Sequence, residues 1–348
     1  HKAFRMAAYD YPTSAELQAI EQQYLPVLTA DNPFFSMFPF KNVPKAHLEW
    51  EQLDNYIGLQ QPRGMNGAPS RVAKVGLKQY LMKPGVYGEF TVLDEEELTN
   101  RRAMGTFADA IGIYDLVRMG QDQLLTRRLM RQKKILVDLV VNGFFSVLDK
   151  NNVILHTDSY TQRVYTASVA WSTAATSTPL ADFRAVKLLK RGYSVSFGAG
   201  ATAWMNQTQA NRMLNNTNAS DIGGKRTGGF SGLGGNTVNS LKDMNAFLAA
   251  DDLPQIKIWD EGYYGDDGTF NLDIPNGTVI VEGKRLTGTP IGNFVYTRNV
   301  NNPDGAPGPY MRVIDRMENQ VPRTVEVHDG FNGGPAIYFP SALVVMRV

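Results

Sequence analysis

The stretch TFADAIGIYDLVRMGQDQLLTRRLMRQKKILVDLVVNGFFSVL, residues 106–148, decides the fold of this chain. Its apolar residues recur mostly at steps of three and four or their sums, which is the pattern of one buried helix face. The positions with this spacing are Phe107, Ile111, Tyr114, Val117, Leu125, Leu129, Leu136, Leu139 and Val147. A single helix of this length would extend roughly 60 Å at about 1.5 Å per residue. We expect Gly112 and Gly120 to bend or interrupt its first half.

Charge is segregated along the chain, although the net charge is only +1. Residues 101–134 carry eight basic and three acidic side chains, whereas residues 243–282 carry nine acidic side chains against Lys257. Opposed patches of this kind suit self-association. Ordinary solvated faces are the equally weighted alternative.

The amino-acid composition limits the classes of protein to which the chain could belong. The chain has 348 residues, of which 43% are hydrophobic and 20% charged, as in a globular protein of about two domains. No apolar run approaches the roughly 18 residues that span a bilayer, and residues 1–11 lack the apolar centre of a secretory signal. Cysteine is absent, which excludes disulfides and thiolate sites and is consistent with assembly in a reducing cytoplasm.

Residues 1–55 have the pattern of an arm. A short amphipathic helix is predicted over 14–25, capped by Thr13 or Ser14 and stopped by Pro26. Prolines then alternate with Phe34, Phe35, Phe38 and Phe40 in a segment that we expect to be extended. Such an apolar segment needs a partner surface, unless it folds back onto its own core.

Residues 56–93 indicate a long hairpin or loop with a tip rich in glycine and proline. The returning strand is predicted over 72–92. Residues 61–88 contain no acidic side chain, and their basic side chains are Arg63, Arg71, Lys74, Lys78 and Lys83. A two-stranded hairpin is at best marginally stable alone, so we expect this one to lie on a neighbouring subunit.

The rest of the chain alternates predicted helices with short strands, which makes the class α+β. Helices are predicted over 181–191, 202–214 and 240–250. Strands are predicted over 153–156, 163–171, 255–259, 278–281, 294–296, 321–327 and 336–346.

No chemistry-bearing motif stands out. The four histidines are not at metal-ligand spacing from one another, and the glycine tract at 223–229 lacks the spacing of a phosphate-binding loop. Asp260, Glu261, Asp266, Asp267 and Asp273 could bind a cation or supply a glycosidase carboxylate pair, but an exposed acidic rim explains them more simply. We therefore predict no catalytic, metal-binding or cofactor-binding residue.

Several segments together form a more specific pattern. They are PFF at 33–35, ELTNRRAMG at 97–105, LTRRLMR at 125–131 with VVNG at 140–143, WDEGY at 259–263, IPNGTV at 274–279, and the closing run from PRTV at 322–325 to Val348. In order and content they resemble the lambda-like major capsid protein E family of tailed bacteriophages. In that family the helix with the paired arginines ends in a glycine and enters a strand. The chain departs from the family where Arg131, Lys133 and Lys134 replace acidic residues after the paired arginines, so the family's salt bridges between subunits are not carried over.

The resemblance implies the Hong Kong 97 capsid fold. Its map would place an N-terminal arm at 1–55 and an extended loop at 56–93. A peripheral domain would combine 94–178, which includes the spine helix, with 310–348, and an axial domain would cover 179–309. The implied function is structural: hexamers and pentamers of an icosahedral phage head that encloses double-stranded DNA. An encapsulin-like cellular shell and, less favoured, an acidic-site carbohydrate-active or cation-binding enzyme are the alternatives.

The implied partners are further copies of the chain, packaged DNA bound without sequence preference, a portal, a scaffold and in some cases a decoration protein. No membrane is implied, and the implied location is the virion capsid, assembled in the host cytoplasm. Side chains expected to face DNA, or to pair with the acidic residues at 94–97 of a neighbour, are Arg127, Arg128, Arg131 and Lys134. Side chains expected near a capsomer axis are Asp251, Asp252, Asp266 and Asp267, with solvent screening favoured over a cation or over Arg226, Lys242 and Lys257 as the source of relief from their repulsion.

Overall fold

The computed structural model describes residues 12–53, 59–63, 65, 67–68, 77–94, 96–97, 112–149, 151, 153–189, 195–218, 220–221, 240–265, 267–285, 290–316 and 324–348. Helices and strands are interleaved throughout these ranges, so the predicted α+β class is confirmed. The α-helices are α1 (Ser14–Thr29), α2 (Pro33–Met37), α3 (Ile113–Val137), α4 (Pro179–Leu188), α5 (Gln207–Leu214) and α6 (Leu241–Ala250). Among the described helices, none has both the length and the apolar character needed to cross a bilayer.

Two five-stranded sheets carry the core. The first has the order β1-β15-β17-β16, with β4 on the other side of β17, and the second has the order β10-β9-β13-β18-β7. The pairs β2–β3, β5–β6, β8–β14 and β11–β12 form small two-stranded sheets. The strands are β1 (Phe40–Asn42), β2 (Leu48–Leu53), β3 (Leu77–Met82), β4 (Gly85–Leu93), β5 (Phe144–Leu148), β6 (Ile154–Ser159), β7 (Val164–Thr166), β8 (Val195–Ser196), β9 (Thr202–Met205), β10 (Gln255–Ile258), β11 (Gly262–Tyr264), β12 (Phe270–Leu272), β13 (Thr278–Glu282), β14 (Lys284–Arg285), β15 (Gly292–Tyr296), β16 (Tyr310–Asp315), β17 (Val325–Ile337) and β18 (Leu343–Arg347).

The long helix is shorter than predicted. Helix α3 is followed by a π-helical turn over Asp138–Asn142, and Gly143 then adopts a left-handed φ of 77° before β5 begins. The prediction of one helix to residue 148 is therefore wrong beyond Gly143, because a left-handed glycine ends helical hydrogen bonding. Residues 106–111 lie outside the described ranges. The apolar stripe is buried at Leu125, Leu129 and Leu136, as predicted, but Tyr114 is 42% exposed, so the predicted stripe is wrong at that position.

Gly120 does not bend the helix. It is buried inside an uninterrupted α3, and a Cβ placed on it would lie 3.0 Å from Thr91 Cγ2 on β4. The glycine therefore lets the helix approach the first sheet closely, which is a packing role. Gly112 stands at the N-cap of α3, so the helix begins there.

The N-terminal segment folds onto its own chain. Thr13, one of the two predicted caps, is the N-cap of α1 and forms a capping box with Glu16. The helix continues through Pro26 to Thr29, so the predicted stop is wrong. Proline forfeits one backbone donor near the helix end, where Thr29 Oγ1 donates to the Leu25 carbonyl at 2.7 Å.

The aromatic segment after α1 is also compact rather than extended. Asn32 caps the short helix α2, and Phe34, Phe35 and Phe38 are buried in the main core of the same chain. The alternative in which the segment folds back onto its own core is the correct one. Strand β1 then adds in parallel to β15 at the edge of the first sheet.

The hairpin is built by β2 and β3, which pair antiparallel from Leu48↔Met82 to Leu53↔Leu77. The predicted single returning strand over 72–92 is wrong, because β4 is a separate strand that pairs with β17 along nine positions. Trp50 and Tyr80 stack at the hairpin root with ring centroids 5.4 Å apart. Gln52 Nε2 donates to the Ile337 carbonyl, which ties the root to the end of β17.

In the C-terminal half, further predicted elements differ from those observed. Helices α4 and α6 agree with their predictions, but residues 202–205 of the predicted 202–214 helix form β9, and Asn206 caps α5 after it. The predicted strands at 321–327 and 336–346 are instead β17 and β18. Strand β17 continues through Gly330, Gly333 and Gly334. Neighbouring backbone lies too close to Gly330 and Gly333 for a side chain, and the side chains of Leu48 and Phe145 lie close to Gly334.

Candidate assembly surfaces and the spine helix

The buried face of α3 carries a charged trio. Arg128 Nη1 donates to Asp329 Oδ1 on β17 at 2.5 Å, and Nη2 donates to Glu21 Oε1 on α1. All three side chains are at most 8% exposed. Burial opposes the charge of Arg128, yet the attraction of Asp329 and Glu21 together raises its pKa. The expectation that Arg128 faces DNA is wrong, because the guanidinium is enclosed and paired within its own chain.

A second buried ion pair joins α3 to the chain segment before β13. Lys133 Nζ lies 3.0 Å from Asp273 Oδ2 and also donates to the Gly262 carbonyl at 3.0 Å. Trp259 Nε1 donates to the same Asp273 carboxylate at 2.9 Å. Asp273 is fully buried, so it is an internal anchor and not part of an exposed acidic site.

The exposed basic side chains of α3 also have partners in the same chain. Arg127 donates to both Glu89 oxygens on β4, at 2.5 and 2.9 Å, and this hydrogen bonding lowers the pKa of Glu89. Arg131 lies over the Tyr87 ring at 6.0 Å from its centroid, and Lys134 pairs with Asp138 at 2.6 Å. Arg127 and Arg131 remain exposed and Lys134 half-buried, so this face stays accessible to an anion.

The first sheet has one half-face that is open to solvent. On β4, Tyr87, Glu89 and Thr91 point to α3, so the alternate side chains point away from it. These alternate side chains are apolar and exposed: Val86 is 69% exposed, Phe90 56% and Val92 41%. Within the described ranges β17 is the one strand paired with β4, so among those residues the other edge of β4 is unpaired. An apolar face beside an open strand edge is a surface that proteins normally cover.

A small aromatic and ionic group borders this open half-face. The Phe90 ring stacks on the His328 ring at a centroid distance of 5.0 Å, and His328 Nε2 lies 2.9 Å from Glu326 Oε2. Arg316 pairs with the same Glu326 through two hydrogen bonds of 2.5 and 3.0 Å. Hydrogen bonds from Arg316 and His328 hold the pKa of Glu326 below its ordinary value. Charged side chains therefore border the open half-face on one side.

The described residues of the hairpin tip are exposed. Every described residue between 59 and 68 is exposed, including Arg63. The exposed fraction is 94% for Leu59 and 100% for Met65. Lys78 and Lys83 are exposed near the root, whereas Arg71 and Lys74 lie outside the described ranges.

The acidic residues expected at a capsomer axis have basic neighbours on α4. Asp251 pairs with Arg184 and Asp252 pairs with Lys187, each at 2.7 Å. These acidic side chains therefore have basic partners within their own chain, and Lys257 lies over the Trp204 ring. The expectation of solvent screening around a capsomer axis stays a prediction.

The other two acidic positions differ from each other. Asp267 accepts hydrogen bonds from the Thr269 backbone N–H at 3.0 Å and from its Oγ1 at 2.8 Å, and these bonds lower the pKa of Asp267. Asp266 lies outside the described ranges, as does Arg226. Over the described residues, no three His, Asp or Glu side chains are grouped so that they could hold a metal ion.

Sequence reasoning missed the polar half of the buried α3 face. Gln121 donates to the Leu17 carbonyl at 2.8 Å, and Gln132 donates to the Tyr296 hydroxyl at 3.0 Å. With Arg128, these residues recur at steps of seven and four, which is the spacing of the apolar stripe. Polar side chains at helical spacing beside an apolar stripe were the available signal.

Comparisons with solved structures identify the fold. A crystal structure described as a candidate capsid protein of a prophage of E. coli CFT073 matches with a TM-score of 0.55 at 12% identity, over 94% of this chain and 98% of that chain. A phage-related protein from Bordetella bronchiseptica RB50 matches with a TM-score of 0.52 at 10% identity, over 96% and 95% of the two chains. The SrpI encapsulin complex of Synechococcus elongatus PCC 7942 scores 0.43 at 10% identity over 98% and 92%, which is too low to support an argument.

No protein-family model matches the chain, and a search of curated proteins also finds no match. The structural likeness extends over nearly the full length of both partners in the two higher-scoring matches. The chain has the Hong Kong 97-type capsid fold.

Proposed function

We propose that this chain is the major capsid protein of a tailed bacteriophage, and that it assembles into the hexamers and pentamers of an icosahedral head around double-stranded DNA. The end-to-end likeness of its fold to a candidate prophage capsid protein carries the proposal. No residue is assigned a catalytic role, and no metal or cofactor is assigned.

Two uncovered surfaces support self-assembly. The hairpin exposes Leu59 and Met65 at its tip, and the open half-face of the first sheet exposes Val86, Phe90 and Val92. We place the hairpin of one copy on the open half-face of a neighbour. Contact areas would then add over several neighbours, each comparable with the roughly 1,200–2,000 Å² of a stable interface.

We propose the domain map implied by the resemblance with two changes: that map has the arm at 1–55, the extended loop at 56–93, the peripheral domain at 94–178 and 310–348, and the axial domain at 179–309. The position of the hairpin strands supports a loop that begins near Leu48, and β4 belongs with the first sheet. The pairs Asp251–Arg184 and Asp252–Lys187 would lie around the capsomer axis.

Replacement of residues 54–76 by a short turn tests the role of the loop. This change keeps the paired strands β2 and β3, including the buried Met82. We expect a folded chain that no longer forms closed shells, observed by electron microscopy and sedimentation. Normal shells from this variant would contradict the proposal.

Single substitutions that add a charge distinguish a specific contact from a general effect of surface charge. Phe90→Asp places a charge on the open half-face. The matched control Val300→Asp places one at an apolar residue that is 92% exposed on a turn outside this half-face. We expect the first variant to abolish shells and the second to leave them intact. Equal effects from both would show that the open half-face is not an interface.

Contact with DNA is assigned to the accessible basic face of α3, namely Arg127, Arg131 and Lys134. Such contacts would go to phosphates, would be independent of sequence and would weaken with salt. Replacement of all three by Gln should reduce nuclease-protected DNA in the particles more than it reduces particle number. Loss of empty shells instead would indicate that these residues hold the subunit together. Absence of nuclease-protected DNA from wild-type particles would favour a cellular compartment over a phage head.

A further inference from the structure

Helix α1 is held to the rest of the chain by the buried Leu17, by the half-buried Leu25, which packs against the main core, and by polar contacts. Among its described side chains, only Leu17 and Glu21 are buried. Three polar contacts join it to α3: Glu21 with Arg128, the Leu17 carbonyl with Gln121, and the Tyr24 hydroxyl with Arg118 at 2.6 Å. Because Leu17 is the one buried apolar side chain among those described in this helix, its position depends in part on these polar contacts.

The contact of Glu21 with Arg128 belongs to a group whose charges do not balance. The one guanidinium of Arg128 pairs with two buried carboxylates, those of Glu21 and Asp329. With both carboxylates ionised the enclosed trio has a net charge of −1, and a net buried charge is costly. Within the described residues, Asp329 Oδ2 is buried without a hydrogen-bond partner, which is the position that a proton would occupy to make the trio neutral.

We propose that Arg128, Glu21 and Asp329 form a proton-controlled latch that holds α1 on the spine helix α3 more tightly in mild acid than at alkaline pH. The latch is a property of the single chain and does not rest on the proposed shell function. Protonation of Asp329 leaves the whole guanidinium to Glu21, whereas its ionisation adds a second carboxylate that competes with Glu21 and repels it.

The groups around Asp329 come from five elements. Arg128 on α3 attracts its charge, whereas Glu21 on α1 repels it. Tyr310 on β16 and Tyr296 on β15 are neutral neighbours whose own pKa values are raised by burial. Glu89 is the residue opposite Asp329 in β4, and its charge is paired with Arg127. Burial is the largest influence and, with the smaller effect of Glu21, raises the pKa of Asp329 to about 6 against the opposing effects of Arg128 and the Gly330 N–H.

The direction of the pH dependence follows from the linkage between proton binding by Asp329 and docking of α1. Docking of α1 brings Glu21 to Asp329 and closes one side of the trio, and both effects favour the protonated carboxyl. The docked state therefore binds the proton more tightly than the undocked state does. The contribution to docking is fully present below the undocked pKa and is lost as pH rises through about 6. One proton changes the docking equilibrium by at most about tenfold per pH unit, and about a hundredfold in total if the undocked value is ordinary.

Hydrogen exchange of the full-length chain, read on the peptides that cover α1, tests the latch. Protection factors, normalised to the intrinsic rate at each pH, should fall by up to about tenfold between pH 5 and pH 8. Asp329→Asn should remove this dependence and keep the high protection at pH 8. Glu89→Gln is the matched control, since it removes a neighbouring carboxylate outside the trio, and it should leave the dependence unchanged.

Glu21→Gln keeps the test decisive if Asp329→Asn does not fold. It should lower the protection of α1 and flatten its pH dependence, because Asp329 then loses the charge that repels it. Wild-type protection that is flat or rises with pH would overturn the proposal. So would a full pH dependence retained in Asp329→Asn or in Glu21→Gln, or one that Glu89→Gln abolishes.

Discussion

Two adjacent arginines of α3 offer a direct test of how the spine helix is held. Arg128 is 3% exposed and paired with two buried carboxylates, whereas Arg127 is 60% exposed and paired with a half-exposed Glu89. In Arg128→Leu, Glu21 and Asp329 stay buried with no counter-charge. Removal of one partner from a buried pair costs about 3–5 kcal/mol. The matched change Arg127→Leu breaks a solvent-screened pair and should cost at most about 1 kcal/mol.

Urea unfolding of the unassembled chain, followed by circular dichroism at pH 7, measures both costs. The midpoint should fall much further for Arg128→Leu, with an unchanged slope if both variants unfold to the same state. At pH 5 the cost of Arg128→Leu should shrink, because the raised pKa of Asp329, about 6, lets this carboxyl become neutral. Equal costs for the two variants at pH 7 would refute the conclusion that the trio anchors the helix.

Three further changes test individual contacts. Gly120→Leu should destabilise the chain by about 1–3 kcal/mol in the same urea assay, because its Cβ alone would already lie 3.0 Å from Thr91. Thr13→Ala removes the capping box of α1 and should cost about 1 kcal/mol, seen as faster amide exchange in the first turn of that helix. Lys133→Met leaves the buried Asp273 carboxylate without its counter-charge and should lower the free energy of unfolding in the urea assay by about 3–5 kcal/mol. A second substitution in the same chain, Asp273→Asn, should recover part of this loss.

The sequence predicts the apolar part of the spine helix well. Leu125, Leu129 and Leu136 recur at helical spacing, and burial of one face follows directly from that period. The cap of α1 is predicted only as Thr13 or Ser14, although a Thr followed three residues later by Glu is the local pattern of a capping box and favours Thr13. Such features are local, so no distant part of the chain is needed to predict them.

The polar anchors of the same helix could not be predicted in this way. Arg128 and its partners Asp329 and Glu21 are separated by 201 and 107 residues, so tertiary packing alone brings them together. A basic residue in a basic segment has the appearance of a solvated face, which led to the wrong DNA-facing assignment. The partners of Asp251 and Asp252 on α4 were missed for the same reason.

Short apolar runs account for most errors in secondary structure. The sequence of residues 202–205 is compatible with a buried strand as well as with a helix. These residues form a strand because they pair with β13 and β10. Strand β17 contains three glycines that sequence alone treats as breakers. The close approach of Leu48 and Phe145 to Gly334 shows why glycine is suited to that position.

Electron microscopy of the purified full-length chain, with sedimentation of the same sample, tests the central proposal most directly. We predict closed icosahedral shells built from five- and sixfold clusters of this one chain, with the hairpin of each copy on the sheet of its neighbour. A chain that stays monomeric over the micromolar range, or that forms only small closed oligomers without a shell, would contradict the proposal.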